Sequence, residues 1–121
     1  MLKNNDDFDV LVDALKKREE ILKNKQSIRK YNKYFEIMRK CAHNLINHNR
    51  QAELLPYLES ESVSIQRDVA GLLFNSYPDR CREVLQKISE MTVDNGLPEC
   101  FINVSVSAYM SLEIGIPKDF P

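Results

Sequence analysis

Apolar residues recur every three or four positions along six stretches of this 121-residue chain, and no stretch sustains the alternation of a half-buried strand. In the first stretch Phe8, Leu11, Val12, Leu15 and Leu22 share a side. Asp6, Asp7 and Asp9 occupy its opening turn, where the helix dipole favours negative charge. The second stretch is the most regular. Ile28, Tyr31, Phe35, Met38, Ala42 and Leu45 step by three, four, three, four and three, which predicts a long amphipathic helix.

Punctuation residues divide the remainder. Asn49 is a candidate N-cap for a short third helix through Leu54, Leu55 and Leu58, kinked or shortened by Pro56. After a polar turn from Glu59 to Ser62, Ser62 or Ser64 can cap a fourth helix with Ile65, Val69, Leu72, Leu73 and Ser76 inward. Pro78 suits the first position of a fifth helix carrying Cys81, Leu85, Ile88 and Met91, since proline loses nothing there. Asp94, Asn95 and Gly96 break the chain. Pro98 and Glu99 restart it as a sixth helix through Phe101, Ser105, Ala108 and Leu112, ending near Gly115 and Pro117. The expected organisation is one all-α domain over 1–121, with a long helical pair about 6–47 and short pairs about 50–77 and 78–114. A shift of 36 residues lays Ile65 on Phe101, Val69 on Ser105, Leu72 on Ala108 and Phe74 on Met110. It keeps apolar class more than identity, as helical repeats do.

The fourth and sixth helices have a second side. Arg67, Gly71 and Phe74 point away from the main apolar face, as do Asn103, Ser107 and Met110. Such helices are either sandwiched between neighbours or present a concave binding surface, here with Phe74 and Met110 as apolar anchors. The candidate partner-binding residues are therefore Arg67, Asp68, Phe74, Asn103, Ser107 and Met110.

Charge adds a polarity that the near-equal totals of 17 basic and 18 acidic residues conceal. Residues 1–60 hold 12 basic and 9 acidic side chains, and residues 61–121 hold 5 and 9. From Ala14 to Arg50 there are 11 basic residues against 3 acidic ones. Lys16, Lys17, Arg18, Lys23, Lys25, Arg29, Lys30, Lys33, Arg39 and Lys40 are either a solvated face or a footprint for phosphate, with Arg29, Lys33 and Lys40 as candidate phosphate contacts. Glu36 four residues before Lys40 suggests ordinary pairing within the helix. The acidic half could instead meet a basic partner.

Reactive groups are sparse. Cys41, His43 and His48 form the one His/Cys grouping, but five-residue spacing sets the two imidazoles about 140° apart on a helix, unsuited to a shared metal. A nucleophile would need Cys81 or Cys100 to meet a histidine across the fold. No phosphate-cradling glycine loop, nucleophile elbow or HExxH occurs, and the chain has only three glycines. The expectation is a protein that is not an enzyme and takes no metal or cofactor. No apolar run approaches the roughly 18 residues of a membrane span. Met1 to Asp13 lacks the apolar core of a signal peptide, and three widely spaced cysteines suit a reducing compartment. A cytoplasmic location follows as the expectation.

Leu54-Leu55-Pro56-Tyr57-Leu58, the polar turn, and Val63-Ser64-Ile65-Gln66-Arg67-Asp68-Val69-Ala70-Gly71-Leu72-Leu73 resemble a HEAT-like repeat. Ile65 takes the valine position of its second helix, and Val69 and Ala70 the alanine pair. Gln66 replaces the usual arginine. Together with Lys30-Tyr31-Asn32-Lys33, Pro78 and a closing helix near Ala108, the chain resembles a bacterial family of small HEAT-like proteins of unknown function. The resemblance implies about six helices in antiparallel pairs, wound as a right-handed α-α superhelix. It also implies an immunity protein that binds and neutralises a toxin encoded by an adjacent gene. The alternative is a helical-repeat protein that binds nucleic acid.

Overall fold

A computed structural model of the chain describes residues 6–121. It contains five α-helices: α1 (Asp7–Lys23), α2 (Ile28–Asn47), α3 (Val63–Leu72), α4 (Pro78–Ser89) and α5 (Ile102–Ile114). Three 3-10 segments, Gln51–Glu59, Val93–Asn95 and Glu99–Phe101, join them, and no strand occurs among the described residues. None of these helices is long and apolar enough to cross a membrane.

The long pair forms as its pattern requires. Lys25 takes a left-handed φ of 53°, which reverses the chain in four residues, and the Ser27 hydroxyl then accepts from the amides of Arg29 and Lys30 to start α2. Leu11, Leu15 and Ile21 of α1 are buried with Met38, Ala42 and Leu45 of α2. Asp6 stands at the N-cap of α1, but its carboxylate accepts from Arg50 at 2.8 Å through both oxygens, and Arg50 also donates to Glu53. This clamp ties the start of α1 to the segment that follows α2.

That segment differs from the expected third helix. With Pro56 inside it, Gln51–Glu59 winds as a 3-10 helix, which keeps Leu54 and Leu58 buried. Asn49 is not its cap; with a φ of 57° it terminates α2, as asparagine at a helix end can. Ser62 caps α3 by accepting from the amide of Ile65 at 3.2 Å, whereas Ser64 is buried within the helix. Seven of the ten residues of α3 are buried. It is the central element, packed against α1, the 3-10 segment before it, α4 and α5.

Pro78 opens α4, and Cys81, Leu85 and Ile88 fill the space toward α5. Gly96 has a φ of 109°, a value open to glycine and strained for other residues, at the turn between the two helices. Ser105 of α5 donates to the carbonyl of Met91 at 3.0 Å, closing the end of that pair. Three of the four pairs related by the 36-residue shift repeat their burial, Ile65 with Phe101, Val69 with Ser105 and Leu72 with Ala108, whereas Phe74 is half-buried and Met110 exposed.

Candidate functional site

The apolar stripe of α2 is longer than the surface available to cover it. Its second half, from Met38 to Leu45, is buried, but Tyr31 and Phe35 are half-buried and Ile28 is 65% exposed. These three form one wall of a cavity of about 440 Å³. Arg18 and Leu22 of α1, Arg67, Asp68 and Gly71 of α3, and Asn103, Ser107 and Ser111 of α5 complete its sides. The segment after α5 closes it with Ile116, Pro117 and Phe120.

At the base, Arg18 donates from Nη1 to Oδ1 of Asp68 at 2.6 Å, with both residues 6% exposed. The Arg18 guanidinium carbon lies 3.8 Å from the centre of the Tyr31 ring and 5.2 Å from that of Phe35, a cation held against two aromatic faces. Burial pushes the Asp68 carboxyl up, against the opposing pull of Arg18 and Arg67. Burial, reinforced by Asp68, also raises the Tyr31 phenol, which stays protonated. Arg18 Nε and Asp68 Oδ2 are sealed from solvent without hydrogen-bond partners among the described residues.

Arg67 is held differently. Its Nε donates to Ser107 Oγ at 3.0 Å and its Nη2 to Ser111 Oγ at 3.1 Å, two hydroxyls that share a face of α5 because they are four residues apart. A Cβ placed on Gly71 would come within 2.7 Å of Arg67 Nη1, so the missing side chain is what lets the guanidinium lie along its own helix. Nη1 makes no hydrogen bond among the described residues. Burial lowers the pKa of this arginine, with Asp68 partly opposing that effect.

The closing wall is fastened from the other side. Asn75, just beyond α3, donates from Nδ2 to the carbonyl oxygens of Pro117 and Phe120, both at 2.8 Å. The Phe120 ring then stacks on Phe35 with centroids 6.0 Å apart.

Four of the six candidate partner-binding residues, Arg67, Asp68, Asn103 and Ser107, line this cavity together. Phe74 does not. It lies beyond the last residue of α3, where helical angular counting no longer applies, and rests half-buried with the Arg82 guanidinium 5.3 Å from its ring. Met110 is 44% exposed on the outward side of α5. Arg29, Lys33 and Lys40 are exposed along one face of α2. Arg18, placed by sequence among the surface bases, is instead buried. Its signal was its position: Leu11, Leu15, Arg18 and Leu22 step by four, three and four, so the arginine falls on the apolar stripe. Glu36 accepts from Arg39 at 3.0 Å, in place of the expected partner Lys40. Tyr31 and Ser111 also belong to the site, the first assigned by sequence to the core stripe and the second not singled out at all.

The lining includes no cysteine or histidine. His43 and His48 are exposed on α2 and just after it, and His48 Nδ1 lies 2.8 Å from the carbonyl of Asn44. Cys41 and Cys81 are buried, and burial pushes each thiol up to about 11. Compared with protein-family models, curated proteins and solved structures, the chain finds no match.

Proposed function

We propose that this chain is a non-enzymatic, cytoplasmic protein-binding module, a HEAT-like helical stack that in its most concrete form is an immunity protein against a toxin encoded by an adjacent gene. The observation that carries the reading is the outward side of α5. Ile102, Val106, Tyr109, Met110 and Ile114 are 43–75% exposed. They fall within an arc of about 140°, which also carries the exposed Asn103 and, near its middle, Glu113, the one charge on the helix. A predominantly apolar strip of this kind, with one carboxylate to fix register, is what a protein partner covers. The 36-residue recurrence of buried positions between α3 and α5 supports the HEAT-like arrangement.

Co-expression with the product of the neighbouring open reading frame tests it. The pair should co-purify and growth should be restored, and Tyr109→Asp with Met110→Asp should abolish protection while leaving the circular dichroism spectrum intact. A neighbour harmless on its own, or a double variant that protects as well as the parent, would overturn the reading.

A second reading has one observation of its own: Arg29, Lys33 and Lys40 are exposed on one side of α2 and make no ion pair among the described residues. If α2 binds nucleic acid through them, affinity falls steeply between about 50 and 200 mM salt. A gel shift without a complex at low salt disposes of it.

A further inference from the structure

The cavity around Arg67 plays no part in the partner-binding strip, and its chemistry is specific. Arg18 and Arg67 bring two positive charges to it and Asp68 one negative charge, so an occupant with a single negative charge completes the balance. A dianion would set its second charge against the buried Asp68 carboxylate without compensation. The donors are also pre-arranged. Ser107 and Ser111 accept from Nε and Nη2 of Arg67, which leaves both Nη1 hydrogens, the second Nη2 hydrogen and the two hydroxyl hydrogens to donate to a ligand. A flat carboxylate matches the guanidinium fork. Ile28, Phe35 and Phe120 supply apolar walls, and 440 Å³ lies within the usual range for small-ligand pockets.

We propose that this cavity binds a small monocarboxylic acid with an apolar body. The carboxylate is held by Arg67 and the serine hydroxyls, and the body lies against Ile28, Phe35 and Phe120. The site is independent of the protein-binding reading, because the strip on α5 uses other residues. Arg67 is preorganised by two hydroxyls and is partly stripped of water with no carboxylate hydrogen-bonded to it. A ligand carboxylate therefore replaces lost hydration and needs little reordering of the protein.

Calorimetric titration of the full chain with decanoate, near neutral pH and at about 0.15 M salt, provides the test. Saturable one-to-one binding is expected, with decanol weaker by at least about ten-fold. Arg67→Gln should lose a similar factor. Gly71→Ala keeps α3 helical but displaces Nη1, so it should also weaken decanoate; this variant carries the test if Arg67→Gln does not fold. Tyr109→Asp should leave decanoate affinity unchanged, so failure of the protein-binding reading would not be mistaken for failure of this one. In the unaltered protein, nuclear Overhauser contacts are expected from the decanoate methylenes to the Phe35 and Phe120 rings. Equal affinity for decanol, unchanged affinity in both α3 variants, contacts confined to Val106 and Tyr109, or no saturable binding of decanoate would each overturn the proposal.

Discussion

A guanidinium removed from water is held only by what surrounds it, and Arg18 has one carboxylate oxygen and two aromatic faces. Removing either member of such a pair leaves the other charged and buried. Arg18→Met or Asp68→Leu is therefore expected to cost roughly 3–5 kcal/mol, read by urea unfolding, whereas the double substitution should recover most of that loss. The buried thiols make a second prediction. A thiol whose folded value is raised stabilises the fold fully below its unfolded value, near 9.0, and that contribution is lost as pH rises through about 11. Stability should decline over that alkaline window, and Cys81→Ala should flatten the decline. In the native protein, iodoacetamide should label half-exposed Cys100 ahead of Cys41 and Cys81. At this scale sequence was least informative. The stripe position of Arg18 was visible, but its partner lies fifty residues away, and nothing local to Asp68 reveals that a cation will meet it.

The helices, by contrast, were largely legible, because each is specified by nearby residues. The stripe of α2, Pro78 at the start of α4 and Gly115 after α5 all mark elements where the structure has them. The exceptions have local causes too: Pro56 converts the expected third helix to 3-10 winding, and Asn49 ends a helix where it was expected to begin one. Ser62→Ala removes the oxygen that receives the Ile65 amide and should cost about 1 kcal/mol in thermal or urea unfolding. Gly71→Ala should have the opposite sign. Alanine favours a helix over glycine by up to about 1 kcal/mol, and the group in its way is the movable end of a side chain. Stability equal to or above the parent is expected; a clear loss would mean that Arg67 cannot move aside. The Arg50 clamp holds both Asp6 and Glu53 below the usual carboxylate range. Their contribution is present above the unfolded values of about 4 and fades as pH falls through the lower folded ones. Arg50→Gln should accordingly shift acid unfolding to higher pH.

Across the whole molecule, the apolar pattern foretold an all-helical chain, and the buried apolar residues gather into one continuous core around α3. What the pattern could not convey was where coverage would stop. The stripe of α2 reads the same from Ile28 to Leu45, yet only part of it meets other helices, and the uncovered part is the cavity wall. The wall opposite comes from residues after α5 that no periodicity describes, positioned by the hydrogen bonds of Asn75 and by the stacking of Phe120 on Phe35. Asn75→Ala should release that segment, measured as faster amide exchange over residues 116–120 with the melting temperature little changed. Charge segregation along the chain survives folding only in part, since Arg18 is withdrawn from the basic surface and Asp68 from the acidic one.

The Arg18–Asp68 contact also constrains how this protein can change by descent. A lineage that loses either charge first passes through a destabilised ancestor, and only a second, compensating change restores it. Tyr31 extends the dependency, since its ring shields the cation that Asp68 neutralises. These three positions are expected to drift together or not at all, however freely the exposed bases around them are exchanged. Among descendants of a common gene, paired replacement at 18 and 68 would be the trace this ion pair leaves.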